Sequence, residues 1–180
     1  MKIKACTAWL AGTVMMLILT PRAHCQVNDK MDDRYLALRS YWSEGVARVH
    51  VLDVQSVGQM TKVVDGKILF DIISYGRLAT VRPIDIQWRK SDSFKMPDPF
   101  YIYQDGALPS LHDARMEKDG EYVMFLKEEA VPEIATSGLE TDPVMPTSNY
   151  YSIVGMRWGC IPVSDTGNVA RIKAHFRTEK

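Results

Sequence analysis

Residues 119–127, Asp-Gly-Glu-Tyr-Val-Met-Phe-Leu-Lys, set a turn signal directly before five consecutive apolar or aromatic residues and a closing charge. The run is short for a helix, and Tyr, Val and Phe fit a pleated surface, so it reads as a strand. Because neighbouring strand residues point to opposite faces, an unbroken apolar run must be covered on both sides. The rest of the chain therefore has to supply two layers around one central strand.

The chain supplies several more strands to build them. Residues 46–54 put Ala47, Val49 and Val51 on one face and Arg48 and His50 on the other. Leu52 and Val54 then slip the phase by one, as a β-bulge would. Strands are also expected at 67–75, 78–81, 84–89 and 100–104. In the 84–89 segment Ile84, Ile86 and Trp88 should face inward, and Pro83 should mark an edge or an entry. Tyr150 starts another strand, residues 156–163 should continue it, and Asp165-Thr166-Gly167-Asn168 reads as a turn into a last strand at 169–172.

One helix is expected before the first strand, opening with Asp32 and Asp33 and closing at Gly45. Tyr35, Leu38 and Trp42 recur at spacings of three and four, which predicts that this edge packs against the sheet. Short strands separated by turns, with little helix, describe a mostly antiparallel β-barrel or sandwich.

The N-terminus has the three parts of an export signal. Lys2 and Lys4 precede an apolar run at 8–19, and Pro21 breaks it. The run falls short of the about 20 residues a membrane-spanning helix needs, which leaves no transmembrane segment after processing. Residues 1–25 are thus expected to be removed and 26–180 to form a single domain, periplasmic or secreted. Lipid attachment at Cys25 is the alternative. If cleavage falls earlier, Cys25 is retained and is available to pair with Cys160; otherwise Cys160 is a buried free thiol.

Charge balances, with 22 basic and 22 acidic residues over 180. No basic run supplies the footprint of a nucleic-acid binder. Chemistry-bearing motifs are equally sparse. No His-x-His or Cys-x-x-Cys spacing suggests a metal, and no nucleophile elbow, phosphate loop or dinucleotide fingerprint is present, so no cofactor is expected. Asp53, Asp71, Asp85, Glu117 and Asp119 read as solvated carboxylates, and the scattered methionines as core filling. The one catalytic arrangement worth naming is a thiol enzyme or hydrolase using Cys160 with His112, whose neighbour Asp113 could orient it.

Two Pro-containing connections look better suited to recognition: residues 91–99, with Met96, Pro97 and Asp98, and residues 128–149, with Pro132, Glu133, Ile134, Leu139 and Met145. The second reads as one long surface loop. The expected role is a non-enzymatic exported domain that binds a protein or a cell-envelope component through these loops.

In its order of features the chain resembles the netrin-like domains, which include the tissue inhibitors of metalloproteinases. The residues that carry the resemblance are the helix at 35–42, the strands at 46–51, 68–75, 78–88 and 120–126, and the segment from Tyr151 to Ile172. The resemblance implies a closed or partly open antiparallel OB-like β-barrel with one or two short helices. The inhibitors chelate zinc through a mature N-terminal Cys-x-Cys ridge. This chain has no such ridge, so the resemblance carries over architecture and no functional residue.

Intact mass spectrometry of the protein recovered from an exporting host should give a chain beginning at Gln26. A mass that retains Cys25, or adds a lipid to it, would overturn that expectation.

Overall fold

The computed structural model describes residues 31–59, 63–64, 67–68, 73–106, 113–138 and 140–177. In chain order the elements are helix α1 (Asp33–Trp42), strands β1 (Gly45–Gln59), β2 (Val63–Val64), β3 (Lys67–Ile68), β4 (Ile73–Arg89), β5 (Phe100–Asp105) and β6 (Glu121–Glu129), helix α2 (Glu133–Thr136), strands β7 (Thr141–Asp142), β8 (Tyr150–Ile153) and β9 (Cys160–Pro162), and helix α3 (Thr166–Arg177). A single 3-10 turn, Met156–Gly159, joins β8 to β9.

The main sheet runs β7-β1-β4-β5-β8-β6-β9, and β1 also pairs with β6. That extra pairing bends β1, β4, β5, β8 and β6 into a ring of five. Four of its junctions are antiparallel. The fifth, β5 with β8, is parallel and rests on the one pair Tyr101↔Tyr150, so the ring is a partly open barrel. The mostly β, OB-like expectation therefore holds, with two corrections: the sheet is mixed, and three short helices accompany it where one or two are expected.

β1 makes closure possible. It pairs with β4 over most of its length and with β6 through Gly45 to His50, and its register against β4 shifts at four places. One shift falls between Val51 and Asp53, leaving Leu52 extra; this is the phase slip visible in the sequence.

β6 is the strand covered on both faces. Tyr122, Met124 and Leu126 join Ala47, Val49, Val51, Val81, Phe100 and Ile102 inside the barrel. Val123 and Phe125 point the other way, into a second cluster with Leu36 of α1 and Ile172 and Phe176 of α3. Phe176 also stacks on Trp88, with centroids 4.9 Å apart. A third cluster, built on Val57, Leu78, Met145 and Tyr150, lies under the segment that carries α2.

Several local expectations change. Residues 169–172 belong to α3 and not to a strand. Asp165 caps that helix through Oδ1, which accepts from the Asn168 N–H at 3.1 Å, so the apparent hairpin turn is a helix start. Val169, Ile172 and Phe176 then fall at the spacing of one helical face. Residues 156–163 do not continue β8, because Gly155 turns the chain with φ +83°.

Of the strand expected at 67–75, Lys67–Ile68 form β3, residues 69–72 lie outside the described residues, and 73–75 belong to β4, which runs unbroken through Pro83 and takes in 78–81 and 84–89. Pairing with β5 ends at Val81↔Phe100, so Pro83 sits where that edge of β4 has no strand partner to miss its N–H. Past that point no barrel layer covers Ile84, which is exposed, while Trp88 is held by α3. Helix α1 ends at Ser43, whose hydroxyl donates to Arg39 O at 2.6 Å. Gly45 opens β1, where the Phe94 ring lies so close that no side chain would fit.

Phe125→Ala should lower the unfolding free energy by about 3–5 kcal/mol in denaturant titration, because both the strand and the helices above it lose their packing partner. Leu38→Ala, on the outside of α1, should stay within about 0.5 kcal/mol of the parent.

Candidate functional site

Of the residues that sequence reasoning names for catalysis, Cys160 and Asp113 lie within the described residues and His112 does not. Cys160 is a free, buried thiol on β9, packed in the barrel cluster. Burial pushes its pKa from 9.0 up to about 12, the reverse of the shift that makes a nucleophilic thiolate. His112 and Cys25 lie outside the described residues, as does Leu139. Among the described residues no group of three His, Cys, Asp or Glu side chains is placed to hold a metal. Asp119 lies 3.9 Å from His50 and Asp53 lies 3.5 Å from the Lys118 ammonium, so each of these two carboxylates has its own basic neighbour.

The two proposed recognition loops are partly structural. In residues 91–99, Phe94 is buried in the barrel against Tyr151, and Met96 packs beside it. Tyr151 reinforces this by donating its hydroxyl to Lys95 O at 2.8 Å. Pro97 is half-buried, and Asp98 is exposed and ion-paired to Arg82 at 3.0 Å. In the second loop Met145 is buried in the third cluster and Ile134 packs against it. Pro132 is half-buried and Glu133 exposed. Beyond the end of β6 at Glu129, the described residues of this segment therefore form a folded cover with its own helix α2 and strand β7, and Met145 and Ile134 occupy its inward side.

Exposed apolar surface concentrates elsewhere. Eight large hydrophobic residues stand exposed among the described ones, and six belong to α1 or to the turn after β8: Tyr35, Leu38, Tyr41, Trp42, Met156 and Trp158. Tyr35, Leu38 and Trp42 are 59%, 56% and 60% exposed, so the aromatic stripe expected to pack on the sheet faces outward. Leu36, Arg39 and Ser40 are the buried residues of α1 instead. The reason is geometric: on a helical wheel Leu36 and Ser40 fall opposite Leu38, and Leu36 is the residue of α1 that joins Ile172 and Phe176 over Val123 and Phe125.

Arg39 joins these two segments. It lies between the buried and exposed faces of α1 and is 8% exposed, with its guanidinium 5.9 Å from the Tyr35 ring centroid. Its side chain lies across Gly155, where an added Cβ would stand 3.0 Å from Arg39 Nε. Arg157, two residues further along, stacks on Trp158 at 4.1 Å. Arg39 Nη1 is buried and has no hydrogen-bond partner. Burial lowers the Arg39 pKa, against an opposing pull from Tyr35. Sequence reading does not single out Arg39, because it takes Tyr35, Leu38 and Trp42 as the inward face of the helix. The usable signal was the Leu36/Ser40 pair, which offers a second inward face.

Among the described residues no helix is long and apolar enough to cross a membrane. In comparisons with known proteins, no family model, no curated protein and no solved structure matches the chain.

The buried thiol gives a pH signature. Cys160 rises from 9.0 to about 12, and Tyr150 from 10.0 to about 12, through burial first and then Tyr101 and Tyr103. Both groups are raised in the folded state, so their contribution is complete below pH 9.0 and is lost as pH climbs toward about 12. Urea midpoints should therefore fall across that window, and Cys160→Ala should flatten the early part of the decline. Thiol labelling at neutral pH should be slow until denaturant is added; fast labelling of the folded protein would contradict the buried assignment.

Proposed function

We propose that this domain is a non-enzymatic, exported binding module that recognises a protein or a cell-envelope component, and that its recognition surface is the outer face of α1 with the adjoining turn at residues 155–158. The observation that carries this reading is the clustering of exposed aromatic and aliphatic side chains there. Scattered surface hydrophobics are ordinary, whereas a concentration rich in Tyr and Trp is characteristic of interfaces.

The scaffold suits the role. α1 is held by Leu36 in the second cluster and by the Asp32 cap, whose Oδ1 accepts from the Arg34 N–H at 3.2 Å. At its other end the linker is stitched to β6 and to the residue that follows β4: Glu44 N–H donates to Leu126 O at 2.8 Å, and Lys90 N–H donates to Glu44 O at 2.8 Å. A rigid helix presents its side chains with little ordering cost on binding. The exposed parts of the loops at 91–99 and 128–149 form a secondary surface in this proposal. The kinship with netrin-like domains is likewise proposed, supported by a helix leading into a five-stranded ring.

Photo-crosslinking from a benzophenone placed at position 38 in the exporting host should yield a discrete adduct. Trp42→Ala should remove that adduct while leaving the unfolding midpoint within about 0.5 kcal/mol of the parent. An adduct that survives Trp42→Ala unchanged would reject α1 as the recognition surface.

A further inference from the structure

The buried Arg39 guanidinium is a feature that the fold itself does not explain. Arginine stays protonated in proteins, so this side chain is a cation even where burial lowers its pKa. A buried cation is ordinarily paired, because the desolvation it suffers is otherwise uncompensated. Yet Nη1 has no hydrogen-bond partner, and no carboxylate among the described residues makes an ion pair with Arg39. Its side chain lies near the Tyr35 ring and across the bare backbone at Gly155.

We propose that Arg39 is the seat for a carboxylate of the binding partner, and that the partner is a protein segment carrying Asp or Glu among aromatic or aliphatic residues. This rests on the binding-module reading and names the chemistry of its partner. The planar fork of a guanidinium matches the two oxygens of a carboxylate. Tyr35 lies against the guanidinium, and the exposed Leu38 and Trp42 of the same helix and Met156 and Trp158 just after Gly155 would supply an apolar rim that shuts water out once a partner docks, as at an interface hot spot. Gly155 leaves room for the guanidinium itself, since a Cβ there would stand 3.0 Å from Arg39 Nε. A lipid phosphate fits less well. Anionic membrane surfaces are recognised by clusters of Lys and Arg, while α1 begins with Asp32 and Asp33 and the chain as a whole carries no net charge.

The test selects a displayed random-peptide library on the immobilised protein and measures synthetic copies of the enriched peptides in solution. Enriched peptides should share an Asp or Glu beside aromatic or aliphatic residues, and exchanging that acid for its amide should weaken binding about tenfold or more. Arg39→Met should abolish the difference between acid and amide peptides while raising the melting temperature, since it removes a buried unpaired charge without shortening the side chain much. A melting temperature that falls instead would make Arg39 structural and overturn the assignment. So would equal affinity for acid and amide peptides, Arg39-dependent binding to phosphatidylglycerol vesicles without peptide selectivity, or concentration-dependent self-association that buries the helix. If Trp42→Ala abolishes peptide binding and Arg39→Met leaves the preference for acid intact, only the carboxylate seat fails. If no peptide is enriched, or neither variant alters binding, the binding-module reading fails with it.

Discussion

Everything in this structure hangs on β6 having no free face. Its interior side chains, Tyr122, Met124 and Leu126, fill the barrel, while Val123 and Phe125 fill the layer beneath α1 and α3. Both backbone edges are occupied as well. β1 pairs along one, and β8 and β9 divide the other between them. A strand enclosed on four sides cannot slip register by even one residue, because each side chain would move into the wrong layer. The ring closes around it through β1, whose register shifts let one strand serve both β4 and β6.

Two helices follow from that demand. The outer face of the β1/β6 pair is apolar and would be left wet if nothing covered it. α3 contributes Ile172 and Phe176 and α1 contributes Leu36, and the Met31 N–H, accepted by Asn168 Oδ1 at 3.3 Å, ties the chain before α1 to the start of α3. Ser40 Oγ and His175 Nε2 lie 3.2 Å apart, so the helices also meet near the end of α3. Since α3 supplies most of the cover, α1 needs only one large inward side chain. Its aromatic residues are consequently free to face solvent.

That division of labour leaves a surface that folding does not use. The barrel gains nothing from the exposed rings of Tyr35 and Trp42, and it bears an uncompensated guanidinium at Arg39. Features that do not serve stability but recur side by side are those expected of a surface kept for another molecule. The loops tell the complementary story. Phe94 and Met145 anchor segments that look free in sequence, so part of what reads as variable surface is in fact the lid of a hydrophobic cluster.

How much of this was legible beforehand depends on the range over which the signal acts. The sequence alone determined β6, β5 and the bulge at Leu52, because an apolar run, an Asp-Gly turn and a phase slip are local facts that the backbone must obey. It also determined that α1 exists, through Asp32 and Asp33 at its start. It did not determine which side of α1 turns inward, since Tyr35/Leu38/Trp42 and Leu36/Ser40 are both acceptable inward faces until the surface over Val123 and Phe125 is in place. Nor did it separate a hairpin from a helix at Asp165-Thr166-Gly167-Asn168, where an Asp-containing turn and an Asp N-cap use the same residues. The tertiary structure decided these cases because burial is a property of two surfaces meeting. One sequence segment carries only its own half of that contact.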